Sequence, residues 1–210
     1  MARLPNGILG PLIGKIGTVV GSSRNGRPYL KGAYKKRTKK VSAAELANRQ
    51  KFAMAQAWLR PVLSFVREGF KNYSETARGF IAAKSYLLHH GFEGLAPNLW
   101  INPAKALLSY GTLPLAEEMK VESIAPDLLR FSWMAKCAAE ASPLDQVMLM
   151  AYDMVNGRTF YSLTGQFRKV GEDFLRIDHQ QGASYHCYAA FIAADRRTIS
   201  YSTYLGEVKS

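Results

Sequence analysis

Residues 146–163 read QVMLMAYDMVNGRTFYSL, and residues 184–205 read SYHCYAAFIAADRRTISYSTYL. Each is a pair of short runs rich in apolar, β-branched and aromatic residues around a turn signal. Asn156-Gly157 turns the first pair and Asp195-Arg196-Arg197 the second. The same texture extends from about residue 115 onward. Strands are expected near 119–124, 128–135, 146–152, 158–163, 173–178, 184–193 and 198–205. Punctuation falls at Ala125-Pro126-Asp127, Ser142-Pro143, Gly171 and Gln181-Gly182. Seven short strands in about 95 residues are the pattern of an antiparallel β-sandwich. Tyr185, Cys187 and Ala189 alternate with His186, Tyr188 and Ala190, as do Ile199, Tyr201, Thr203 and Leu205 with their neighbours. Trp133, on the second strand, has the bulk to plug the core.

Upstream, the pattern changes period. Ser42 followed by Glu45 forms a capping box for a helix, and Leu59, Leu63, Val66 and Phe70 fall on one helical face. Pro61 must kink or restart that helix. A second helix is expected over 75–90, ended by Gly91, and a connector over 91–114 carries one short strand near 99–101. Residues 6–33 read as a β-hairpin or small strand set, with Asn25-Gly26 in its turn and six glycines between Gly7 and Gly26. So thin a ribbon has no core of its own and is marginal alone in water. The chain is thus read as α+β in three parts: a basic Gly-rich arm over 1–41, a helical segment and connector over 42–114, and a β-sandwich over 115–210.

The charge follows this division. Of 28 Lys+Arg and 16 Asp+Glu, residues 1–40 hold ten bases and no acid, residues 41–115 eight and four, and residues 116–210 ten and twelve. The net charge of +12 is therefore a property of the N-terminal fifth, which points that end at something anionic. No run reaches the roughly 18 apolar residues of a membrane span. The opening residues, broken by Gly, Pro and Lys15, do not read as a signal peptide, so a cytoplasmic protein is expected. Its two cysteines, Cys137 and Cys187, are then expected as reduced thiols, although both fall near strands where some sandwiches carry a disulfide.

Two groups of segments carry a family resemblance. One is GKIGTVVGSSRNGRPYLKG (14–32) with SAAELANRQKFAMAQAWLRPVLSFVREGF (42–70). The other is QVMLMAYDMVNGRTFY (146–161) with YHCYAAFIAADRRTISYSTYLGEV (185–208). Together they resemble an uncharacterised bacterial family with a Gly-rich GK-x-G-x-VV opening and a helical middle. That resemblance implies a fibronectin type III-like or immunoglobulin-like C-terminal half and supplies no catalytic residues, since the family has no established activity. The opening, with its A-x-L-x-x-R-x-x-F helix (44–52), also resembles small phage-related proteins. Lys35-Lys36-Arg37-Thr38-Lys39-Lys40 departs from the resemblance, because Pro-rich spacing is commoner there.

Chemistry-bearing patterns are few. GILGPLIGKIG (7–17) lacks the spacing of a phosphate-binding loop, since Ile16 follows Lys15 where Ser or Thr belongs. His89 and His90 are adjacent and diverge on a helix, while His179 and His186 lie on separate segments, so neither pair reads as a metal site. No serine sits in a GxSxG elbow, and Cys187 alternates like a core residue. No cofactor, metal or catalytic residue is expected. The last strand, with Tyr201 and Tyr204, could accept a partner strand if it lies at an edge, but reads more simply as an ordinary sandwich strand. What remains is the basic run of Arg24, Arg27, Lys31, Lys35, Lys36, Arg37, Lys39 and Lys40, interleaved with Tyr29 and Tyr34. These residues are the expected contact with an anionic partner. The expected function is a non-enzymatic structural or interaction module, self-assembling or phage-related, that docks on a protein partner or a second copy through the arm. The alternative is a non-specific nucleic-acid-binding protein that uses the same residues.

Overall fold

The apolar run Val147–Tyr152 has no polar interruption at either parity, and the structure shows why. In the computed structural model, which describes residues 2–7, 10–24, 26–36, 38–77, 79–136, 140–178 and 182–209, this run is strand β8 (Gln146–Asp153) and is buried on both faces. Val147, Leu149 and Ala151 enter one core, and Met148, Met150 and Tyr152 enter another. Strand β11 (Ser184–Ile192) repeats the arrangement: Tyr185, Cys187, Ala189 and Phe191 face the first core, and Tyr188, Ala190 and Ile192 the second. The expected alternation is present, but both sides are covered.

The cover on the first side is a three-stranded antiparallel sheet ordered β10–β7–β6, built from β6 (Lys120–Ala125), β7 (Leu128–Ser132) and β10 (Glu172–Arg176). Leu129, Phe131 and Leu175 point inward from it. The facing four-stranded sheet runs β12–β11–β8–β9, with β9 at Arg158–Ser162 and β12 at Thr203–Lys209. Three strands against four, all antiparallel and in this order, make a fibronectin type III-like sandwich. Trp133, just past β7, plugs the core as expected. Its ring lies edge-on to Phe191 at 5.5 Å, and its indole N–H donates to the Arg168 carbonyl at 2.8 Å.

The cover on the second side is helical. Helices α1 (Ala43–Leu59), α2 (Leu63–Gly69) and α3 (Phe80–His90) bring Trp58, Leu59, Phe65, Val66, Ala83 and Leu87 against Met148, Met150 and Tyr188. Burying each such large side chain stabilises the fold by about 1.5–3 kcal/mol. Pro61 separates α1 from α2, as a residue without an N–H must. Helix α3 begins five residues later than expected. Ser74 Oγ accepts the Ala77 N–H at 2.9 Å, closing a local turn, and Gly79 takes φ +54°. Short strands β4 (Phe92–Glu93) and β5 (Trp100–Ile101) pair in the connector; β5 stands where one short strand is expected, and β4 is an addition.

The seventh sandwich strand is displaced from its expected place at 198–205. Residues 199 and 200 make only isolated bridges, to Ile192 and Leu113. The ladder to β11 runs from Thr203 to Lys209, with a bulge at Cys187/Tyr188. The hydroxyls of this stretch explain the shift. Ser200 Oγ accepts from Phe191 N–H at 2.8 Å, and Ser202 Oγ from Leu108 N–H at 2.8 Å, so side chains take bonds a strand would make through its backbone. Ile199 and Leu205, expected on one face, consequently enter opposite cores.

By its internal contacts the chain divides into two units, residues 1–42 and 43–210. The helices and the sandwich belong to the second. The first is a three-stranded antiparallel meander: β1 (Gly14–Ile16), β2 (Val19–Arg24) and β3 (Arg27–Gly32). The expected hairpin is β2–β3, and β1 extends it through a turn in which Gly17 takes φ +54°. Among the described residues of this unit no hydrophobic side chain is fully buried. No helix among the described residues of the chain is long and apolar enough to cross a membrane.

Candidate anionic-partner interface

Cross-strand register decides which side chains of the small sheet share a face. Arg24 is paired with Arg27, Ser22 with Tyr29, Val20 with Lys31, and Lys15 with Val20. Directly paired residues project to the same side, and side chains alternate along each strand. One face therefore carries Lys15, Arg24, Arg27 and Lys31 around Tyr29, with Val20 and Ser22 between. The opposite face carries Ile16, Val19, Pro28 and Leu30. The chain folds back against that second face at one point, where a Cβ at Gly21 would collide with the Leu12 carbonyl oxygen, and its Ile16, Val19 and Leu30 stay exposed. The basic face stays open: Lys15, Arg24, Arg27 and Lys31 are all exposed, and Tyr29 is 42% exposed.

The remaining bases expected at the contact lie beyond the sheet. Lys35, Lys36, Lys39 and Lys40 follow β3 and are exposed, with Tyr34 beside them at 88%. Lys39 and Lys40 each engage a partner already. Arg37 falls outside the described residues, as does Asn25 of the expected turn. The register thus gathers three of the eight expected residues, Arg24, Arg27 and Lys31, and adds Lys15, which sequence reasoning left out. The signal for Lys15 was the Gly17-Thr18 pair between Ile16 and Val19, a two-residue hairpin loop that fixes its parity. No acidic residue occurs before Glu45, so none within the first unit can offset these cations.

Other groups singled out from the sequence sit elsewhere. The Cys187 thiol is free and buried, and burial pushes its pKa up to about 12, far from a reactive thiolate. Cys137 and His179 lie outside the described residues. His186 is half-buried with Nδ1 2.8 Å from the Tyr204 hydroxyl. Burial holds its pKa below the ordinary histidine value, with Glu207 opposing. His89 donates from Nδ1 to the Ser85 carbonyl at 2.7 Å, while His90 packs on Tyr86 at 4.5 Å. Strand β12 is an edge of its sheet, but its Tyr204 is held by His186, and the nearby Tyr201 packs edge-on to Tyr110 at 4.8 Å. Among the described residues no three His, Cys, Asp or Glu side chains gather as metal ligands would.

An open apolar groove of about 710 Å³ lies within the second unit, lined by Met54, Trp58, Trp100, Ile101, Tyr152 and Met154 among others. Its polar groups satisfy one another: Tyr152 O–H donates to the Trp58 carbonyl at 3.1 Å, and Trp58 N–H to Met154 Sδ at 3.1 Å.

Comparison with known proteins gives the family of the chain. A family model described as a family of unknown function (DUF6266) matches residues 11–206, and the chain belongs to that family. No curated protein matches it. Among solved structures, the fibronectin type III domain of the human collagen alpha-1(XX) chain is similar at 17% identity, over 49% of this chain and 89% of that one, with a TM-score of 0.35.

Proposed function

We propose that this chain is a non-enzymatic interaction module that docks on an anionic partner through its basic N-terminal arm. The helix-covered sandwich serves as the folded body that carries the arm. The observation behind this reading is the single face of the small sheet, with four cations and no acid in its unit to offset them. Such a surface raises the local concentration of anions and favours association at low ionic strength. The connector bases Lys35, Lys36, Arg37, Lys39 and Lys40 extend the same field. The three-part division of labour, with arm, helical cover and sandwich, belongs to this proposal. So do a cytoplasmic setting and a place among bacterial, phage-related assembly proteins.

The test is titration of the full chain with heparin, a sulfated polyanion without bases, at about 50 and about 200 mM salt. Saturable binding that weakens with salt and is lost in Arg24→Glu/Arg27→Glu/Lys31→Glu is expected. Binding unchanged in that triple variant would remove the arm as the docking element.

A further inference from the structure

We infer that the basic face of the arm binds single-stranded nucleic acid, with Tyr29 stacking on an unpaired base. The inference rests on the reading of the arm as the docking element and names its partner. The sheet places the tyrosine between two rows of cations. Arg24 and Arg27 form one row, and Lys15 and Lys31 stand in the other, on either side of Val20. Along β3, Arg27, Tyr29 and Lys31 are each about 6.6 Å apart, so the rows are separated by about 13 Å. A phosphodiester backbone crossing the sheet would meet cations at both ends of that span and the phenol ring in the middle.

The ring discriminates among anions. An acidic protein surface offers carboxylates to the cations but no planar base to stack on Tyr29. A duplex offers phosphates but keeps its bases stacked inside. A single strand offers both, and base–aromatic stacking amid cations on a sheet surface is a general way to hold it. The neighbour of Tyr29 across the ladder is Ser22, too small to cover the ring. The chain's own residues 10–12 meet the other face at Gly21 and share a pocket with Pro28, Tyr29 and Leu30, and Tyr29 still stays 42% exposed. Stacking on a phenol ring accepts any base, and cations that track a backbone read no sequence, so binding is sequence-tolerant.

The experiment measures anisotropy of a labelled oligothymidine of about 16 nucleotides, and of a duplex of equal length, with the full chain, Tyr29→Ala and Arg24→Glu/Arg27→Glu/Lys31→Glu. Heparin is titrated in parallel. The full chain is expected to prefer the single strand over the duplex, with a log–log salt slope near about −3 for four neutralised phosphates. Tyr29→Ala should weaken oligothymidine binding at least about fivefold and leave heparin affinity almost unchanged. Equal affinity for duplex, or oligothymidine binding that ignores Tyr29→Ala, overturns the inference. The arm reading still stands in that case if heparin binding needs Arg24, Arg27 and Lys31. Indifference of every polyanion to the triple variant overturns both.

Discussion

Arg24 and Arg27 are paired directly across the last rung of the β2–β3 ladder, two cations on one face with no acid in their unit. Like charges in facing positions destabilise a ladder by a few tenths to about 1 kcal/mol. Replacing one with a neutral side chain should relieve repulsion while weakening attraction for a polyanion. Arg27→Gln is therefore expected to leave the melting temperature equal or higher while heparin affinity falls. A drop in both would mean that Arg27 serves the fold.

Gly21 is the position where the small sheet and the segment before it meet. Its missing Cβ admits the Leu12 backbone, so Gly21→Ala must push that segment away, at a cost of about 1–3 kcal/mol. The damage should stay within residues 1–42, because the chain divides there. Hydrogen exchange should accelerate in β1–β3 and remain unchanged in β8 and β11. Acceleration in β8 would show the two units to be one cooperative body.

The sandwich holds a buried ion pair of its own. The Arg168 guanidinium lies over the Phe191 ring at 4.0 Å, donates to the Pro114 carbonyl at 2.7 Å and sits 3.3 Å from Asp145. Both partners are 1% exposed at the side chain. Removing one partner strands the other's charge, so Arg168→Ala should cost about 3–5 kcal/mol by urea denaturation. A loss below about 1 kcal/mol would contradict a stranded buried charge.

Alkaline pH should weaken the core. Burial pushes the Cys187 thiol up to about 12, and burial, then the neighbouring Asp153 charge, pushes the Tyr152 phenol to about 12. Unfolded, these groups ionise near about 8.5 and about 10. Folded-state values above the unfolded ones mean that the stabilisation is complete below about pH 8.5 and lost as pH climbs toward about 12. The urea midpoint should fall across that window, and Cys187→Ala should flatten its lower part. A midpoint constant up to pH 11 would contradict the burial of both groups.

Much of the fold was legible because turns and helix breakers act locally. Asn156-Gly157, Pro61 and Trp133 each stand where their chemistry places them. Two-sided burial of β8 was also written in the sequence, as an apolar run without alternation. Its length and flanking turns mark a strand, but nothing local says that helices cover the far side. The burial of Arg168 left no sequence signal, since a charged residue between Phe167 and Lys169 looks like a surface turn. In the arm, composition announced the charge, but only the register could say which cations share a face. The register puts Lys15 on one face with Arg24, Arg27 and Lys31, while Lys35 and Lys36 follow the sheet and have no place in its register.

The most direct measurement compares two full-length variants of identical net charge on heparin at matched salt. One carries Arg24→Glu, Arg27→Glu and Lys31→Glu, and the other Lys120→Glu, Arg176→Glu and Lys209→Glu on exposed positions of the sandwich. If the arm is the docking surface, the first variant loses binding and the second keeps most of it. Equal loss in both would show that only overall charge matters, and the account of a dedicated basic face would be wrong.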